Sequence, residues 1–141
     1  MNFKKTSVFL GILLAYGLQN NAGLGPIQSG IKHYKEINTM AEYDALMRTS
    51  RPQILKFYTE SCGACKSMEP IFNNVARKEN NSADFSAINV EKDTFKDLIG
   101  KHSLVAVPTT MFIKSGKVVK TDKGSMTEDD LNNQVKNFAK S

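Results

Sequence analysis

Apolar residues recur along the chain with two alternating periods, and that alternation predicts the elements. A weak candidate strand at Lys35–Asn38 leads to Thr39, placed as a helix N-cap with Glu42 as the first acid behind it. Ala41, Ala45, Leu46 and Met47 then form an apolar helical stripe through Arg48. Ser50-Arg51-Pro52 ends it, since proline breaks a helical ladder. Gln53 to Thr59 (QILKFYT) is dense in strand formers. A helical period follows from Cys62 to Glu79 through Met68, Ile71, Phe72, Val75 and Ala76, with Pro70 predicting a kink. Asp84 to Val90 reads as a strand, and Thr94 to Lys101 as a short helix with Phe95, Leu98 and Ile99 on one face. Thr109–Lys114 and Lys117–Lys120 read as strands around Ser115-Gly116, a tight hairpin signal. Gly124 breaks the pattern. Thr127, with Asp130 three residues on, caps a final helix whose stripe is Leu131, Val135 and Phe138.

The resulting order is β-α-β-α-β-α-β-β-α. Alternating strands and helices argue for parallel strands joined by crossover helices. The closing hairpin adds antiparallel pairing. The expected fold class is therefore α/β, a mixed central sheet flanked by helices on both faces.

The amino terminus has a different pattern. A basic start with Lys4 and Lys5 precedes the apolar run Val8–Leu18 (VFLGILLAYGL), and polar, turn-prone residues follow. That order matches a secretory signal peptide, and the run is about half of the ~20 residues that span a bilayer. We expect residues 1–22 to be the signal peptide, with Gly17 or Ala22 at the cleavage site. An uncleaved anchor is the alternative. Residues 23–33 are expected to be a linker and 34–141 one domain, exported to the periplasm or secreted.

Composition narrows the function without naming it. The 141 residues are 40% apolar and 23% charged, ordinary for a globular domain. The net charge of +5 drops to +3 without Lys4 and Lys5, and the remaining basic residues are dispersed among acids. Nucleic acid is therefore not an expected partner. No nucleotide or haem motif is present, so no cofactor is expected. Nothing in the pattern points to an oligomer, and a monomer is expected.

The chemistry rests on two cysteines. Cys62 and Cys65 bracket Gly63 and Ala64 where a strand meets a helix. By spacing alone they fit a redox pair, a structural bridge or two ligands of a metal site. A bridge across two residues closes so short a loop that it adds little stability. Zinc needs further ligands, and His33 and His102 have no recognisable spacing to the thiols. Redox chemistry is the favoured reading, with no metal. The free N–H groups and positive dipole end of a first helical turn stabilise a thiolate at Cys62. Cys65, one turn on, is placed to resolve a mixed disulfide formed there.

Two stretches carry a resemblance. Ile54–Phe72 (ILKFYTESCGACKSMEPIF) resembles the active-site segment of thioredoxins, and Leu104–Val119 (LVAVPTTMFIKSGKVV) resembles their cis-proline strand and hairpin. The blocks stand in the family's order, with Pro108 43 residues beyond Cys65. The likeness implies a thioredoxin-like fold and thiol–disulfide exchange with protein substrates. It implies that Pro108 lies against the disulfide and that the backbone of Val107 pairs with an extended substrate. Gly63, Ala64 and Gly124 would share that substrate surface, Gly124 being otherwise a simple turn glycine. A reductase outside the cytosol would also need an electron donor, such as a membrane-bound thiol partner.

Several residues depart from the family pattern. Ser61 replaces a common tryptophan, and Ala64 a common proline. Lys56 stands where thioredoxins often bury an acid beneath the resolving cysteine, and Ala87 stands at that acid's lysine partner. Lys56 is a candidate for tuning the couple by stabilising thiolate. The plainer expectation is a lysine whose stem packs on the strand while its head reaches water. The competing function is a redox-silent thioredoxin-like module that binds peptides or partners. His33 and His102 are expected to be surface and helix-end residues.

Overall fold

A computed structural model describes residues 30–141. The signal-peptide assignment and positions 23–29 of the expected linker lie outside the described residues. Strand β1 is Lys35–Glu36, helix α1 Met40–Arg48, β2 Gln53–Tyr58, α2 Gly63–Glu79 and β3 Asp84–Asn89. A 3-10 turn at Asp93–Phe95 opens α3, Lys96–Lys101. The hairpin strands β4 (Thr109–Lys114) and β5 (Lys117–Lys123) precede α4, Glu128–Lys140.

The five strands lie in the order β1-β3-β2-β4-β5. β3 runs parallel to both β1 and β2, whereas β4 is antiparallel to β2 and to β5. Successive side chains on a strand point to opposite faces. Ile54 of β2, with Phe85, Ala87 and Phe112, packs under α2 and α4 through Met68, Phe72, Val75, Leu131 and Val135. Leu55 and Phe57, with Ile88, Met111 and Ile113, pack under α1 and the segment holding Phe95 and Leu98. This is the expected mixed α/β sheet with helices on both faces.

Local chemistry explains the element ends. Thr39 and Glu42 form a reciprocal capping box at α1. The Thr127 hydroxyl accepts from the N–H of Asp130 at α4. Ser115 and Gly116 have φ of 50° and 74°, which a two-residue hairpin of the right twist requires. At Gly116 a Cβ would also collide with the Met47 carbonyl. The assigned α2 helix runs unbroken through Pro70.

Three sequence expectations need correction. In α1 the buried residues are Tyr43 and Leu46, supported by Met40 and Met47, while Ala41 and Ala45 face solvent. The larger side chains take the core face, and Tyr43 is tolerated there because its hydroxyl meets His102 at 2.6 Å. Ile99 is exposed instead of joining Phe95 and Leu98. β5 extends to Lys123, because an edge strand with an exposed face carries polar residues throughout. The compact unit spans Ile31–Ser141, with the segment from Ile31 to His33 ahead of β1. Asn73 of α2 holds that segment, accepting from the His33 N–H at 2.6 Å and donating to the Ile31 carbonyl at 2.9 Å.

Candidate active site

β2 ends at Tyr58 and delivers Cys62 to the start of α2 as its N-cap, in extended conformation. Its Sγ accepts from the N–H of Cys65 at 3.1 Å, while its carbonyl accepts from the N–H of Lys66 at 3.1 Å. Sulfur thus takes the role that serine or aspartate oxygen plays at most helix starts. The first turn of α2 contains no acidic residue. The positive end of the helix is therefore free to favour thiolate at this sulfur. Cys62 and Cys65 are joined as a disulfide, their Cα atoms 5.2 Å apart. Their exposures differ: Cys62 is half-buried, and Cys65 is 3% exposed.

The loop before β4 supplies the opposite wall. The carbonyl oxygen of Val107 lies 3.6 Å from Cys62 Sγ. The Val107–Pro108 peptide bond is cis, and Pro108 is buried. The Thr109 hydroxyl donates to the Ala106 carbonyl at 2.7 Å and ties this turn down. The N–H of Gly124 donates to the Pro108 carbonyl at 2.8 Å. Gly124 has φ of +91° with open space beside it, so conformation rather than crowding calls for glycine. The Ser125 hydroxyl donates to the Ala64 carbonyl at 3.3 Å, joining this loop to the cysteine turn. Gly63 and Ala64 are exposed on that turn. The fold thereby gathers Cys62, Gly63, Ala64, Cys65, Val107, Pro108 and Gly124 around one disulfide. An apolar rim with Ile99 and Val105, the latter 77% exposed, continues from Val107.

One bracing residue is not legible in the linear pattern. Glu91, just beyond β3, accepts from the Glu60 N–H and from the Ser61 hydroxyl, each at 3.0 Å. It fixes the loop that carries Cys62 from across the sheet. No local spacing links it to residues thirty positions earlier. Asn89 supports the same loop by donating to Glu60 at 3.3 Å.

Lys56 corrects the expectation of a head in open water. The residue is 2% exposed, on the α2 side of the sheet between Ile54 and Tyr58. Its Nζ lies 4.7, 5.2 and 5.5 Å from the ring centres of Phe72, Tyr34 and Tyr58. Its cross-strand partners are the small residues Ala87 and Thr110, which leave its head room. It lines a cavity of about 390 Å³ together with Cys65 and Glu69. Burial pulls the ammonium down to about 8, only partly opposed by Glu69 and Glu36. Three ring faces compensate in part for the lost hydration.

The two histidines lie outside this site. His33 is exposed, and His102 caps the end of α3 against Tyr43. Burial, with help from Lys101, holds the His102 imidazole below its usual range.

Residues 35–137 match the family model described as Thioredoxin. A thioredoxin of Borreliella burgdorferi is 34% identical over 91 residues, which is 64% of this chain and 76% of that protein. A thioredoxin of Mycoplasmoides gallisepticum is 28% identical over 102 residues, 72% of this chain and 99% of that one. Among solved structures, thioredoxin NaTrxh from Nicotiana alata is alike in fold, with a TM-score of 0.69 and 24% identity over 78% of this chain and 96% of that one. The sulfur-capped helix and these kinships lead to one conclusion: the chain belongs to the thioredoxin family and is a disulfide oxidoreductase whose exchange chemistry runs through Cys62 and Cys65.

Proposed function

We propose that the protein is an exported catalyst of dithiol–disulfide exchange on protein substrates, with Cys62 attacking and Cys65 resolving. The observation that carries this reading is the asymmetry of the sulfurs. The half-buried one caps a helix, and the buried one sits a turn behind it. The Cys62 thiolate attacks a substrate disulfide, forming a mixed disulfide and releasing one substrate thiolate. Cys65 then attacks Cys62 Sγ. The bond between the cysteines forms, the bond to substrate breaks, and the second substrate sulfur leaves as thiolate. The substrate is reduced and the pair oxidised, and the reverse sequence donates the disulfide.

The backbone at Val107, beside Cys62, offers polar groups to an extended substrate, with Gly63, Ala64, Pro108 and Gly124 forming the low surface around it. The basic and apolar amino terminus supports export to the periplasm or beyond the cell. Working there as a reductase, a monomeric domain would draw electrons from a membrane-bound thiol partner.

Insulin reduction by the purified protein tests the reading. Cys62→Ser is expected to abolish activity, and Cys65→Ser to accumulate a mixed disulfide. An active Cys62→Ser protein overturns the assignment in favour of a partner-binding module. Cell fractionation with amino-terminal sequencing tests export, the expected new terminus following Gly17 or Ala22.

A further inference from the structure

Resolution by a buried cysteine poses a proton problem. Only the thiolate attacks, and burial in apolar surroundings makes a thiol less acidic. Cys65 is 3% exposed, and its own N–H is a donor directed at Cys62 Sγ. A group nearby has to receive the Cys65 proton before attack.

The carboxylates and phenols around the cavity are already engaged. Glu69, on α2, accepts from the Tyr34 hydroxyl at 3.0 Å and pairs with Lys32 at 3.6 Å. Glu36, on β1, accepts from the Tyr58 hydroxyl at 3.2 Å and pairs with Lys32 at 2.9 Å. Glu60 accepts from Asn89. Lys66 is an exposed cation at the rim. Lys56 differs from all of them. It is buried, it shares the cavity with Cys65, and among the described residues its Nζ makes no hydrogen bond or ion pair.

We propose that Lys56 is the proton acceptor for Cys65 in the resolving step. The inference rests on the reading of Cys65 as the resolving thiol. The neutral amine takes the proton: the Cys65 S–H bond breaks and an N–H bond forms, leaving thiolate and ammonium together in the cavity. The thiolate then attacks Cys62 Sγ and expels the substrate thiolate, which takes its own proton from solvent. The cavity is polar-walled and large enough for water, so a water relay between Nζ and Sγ is accommodated, and so is return of the proton to solvent. Burial supports the assignment, since an amine held at about 8 is neutral often enough near neutral pH to act. In the reverse direction the ammonium reprotonates Cys65 as the disulfide opens.

A chromogenic aryl disulfide separates the steps in one trace of the purified protein. The first release of coloured thiolate reports attack by Cys62, and the second reports attack by Cys65 on the mixed disulfide. Lys56→Met is expected to slow the second phase about tenfold or more at neutral pH while the first stays within about twofold. Lys56→Arg, which keeps the charge but cannot accept a proton, is expected not to restore it. Rescue by arginine overturns the proposal in favour of charge alone. Equal slowing of both phases, or no slowing, also overturns it. Loss of the first phase in the unmodified protein would instead overturn the cysteine assignment, and this inference with it. Should Lys56→Met not fold, the unmodified protein decides. The second phase must then show an inflection near pH 8 that the first phase lacks, and its absence overturns the proposal.

Discussion

Along β2, Leu55 and Phe57 point to one face of the sheet, and Ile54, Lys56 and Tyr58 to the other. The first face is closed by α1 and α3 with large apolar side chains: Tyr43, Leu46, Phe95 and Leu98. The second is closed by α2 and α4, and it contains a buried amine that lines one cavity with Cys65. Two walls of one six-residue strand thus serve different ends. One supplies packing, the other accepts an unfavourable group in the cavity that Cys65 also lines. A buried cation with no ion-pair partner among the described residues opposes folding, so Lys56 costs stability where it stands.

The strongest way to sharpen this contrast is to weaken the packing wall alone. Phe57 is fully buried. Phe57→Ala removes the ring and leaves a cavity, an expected loss of about 3–5 kcal/mol in urea unfolding. The equilibrium between the dithiol and the disulfide, titrated against glutathione, is expected to stay unchanged in the folded fraction. A shift of that equilibrium would break the division of labour between the faces.

The opposite change comes from the second wall. Lys56→Met keeps an unbranched side chain one atom shorter and removes the charge. It is expected to stabilise the protein by about 1–3 kcal/mol at neutral pH, less whatever the three ring faces contribute. The sign follows from linkage. The folded state holds this amine at about 8 against an ordinary 10.5, so below pH 8 the penalty is fully present. As pH rises from 8 toward 10.5 the folded protein sheds its proton first, and the penalty disappears. The gain from Lys56→Met should therefore shrink across that window in paired unfolding curves. A variant less stable than the parent at neutral pH would break the comparison, since Lys56 would then belong with the packing residues.

What the sequence revealed follows the same division. Period and turn chemistry located the elements, because Thr39, Ser115-Gly116 and Thr127 act on their immediate neighbours. The cysteine turn was legible because cap and nucleophile are one residue. The burial of Lys56 was not. Whether a lysine head finds water depends on what lies across two strands, and the small partners Ala87 and Thr110 are 31 and 54 positions away. Glu91 is hidden in the linear pattern for the same reason, as it braces Ser61 only after β3 pairs with β2. Tyr43 is hidden because an aromatic with a hydroxyl joins an apolar stripe only when its oxygen has a partner, here His102, 59 positions on.

That partner supplies the smallest test, since the packing wall also holds one titratable base. The His102 Nε2 lies 2.6 Å from the Tyr43 hydroxyl, and its ring is 5.7 Å from that of Phe57. Burial, then Lys101, pushes its imidazole below the ordinary 6.5. A base held low in the folded state favours folding above its unfolded value and withdraws that support as pH falls. Stability should therefore decline modestly as pH drops below 6.5, since solvent screens a partly exposed ring. His102→Gln removes the titration, so the parent's stability relative to the variant should fall as pH drops below 6.5 in paired unfolding curves. Both faces thus carry a base that folding holds low, in different windows. Near neutral pH the histidine penalty has largely vanished while the lysine penalty stands in full, so the protein at work carries its electrostatic cost on the face that holds the disulfide.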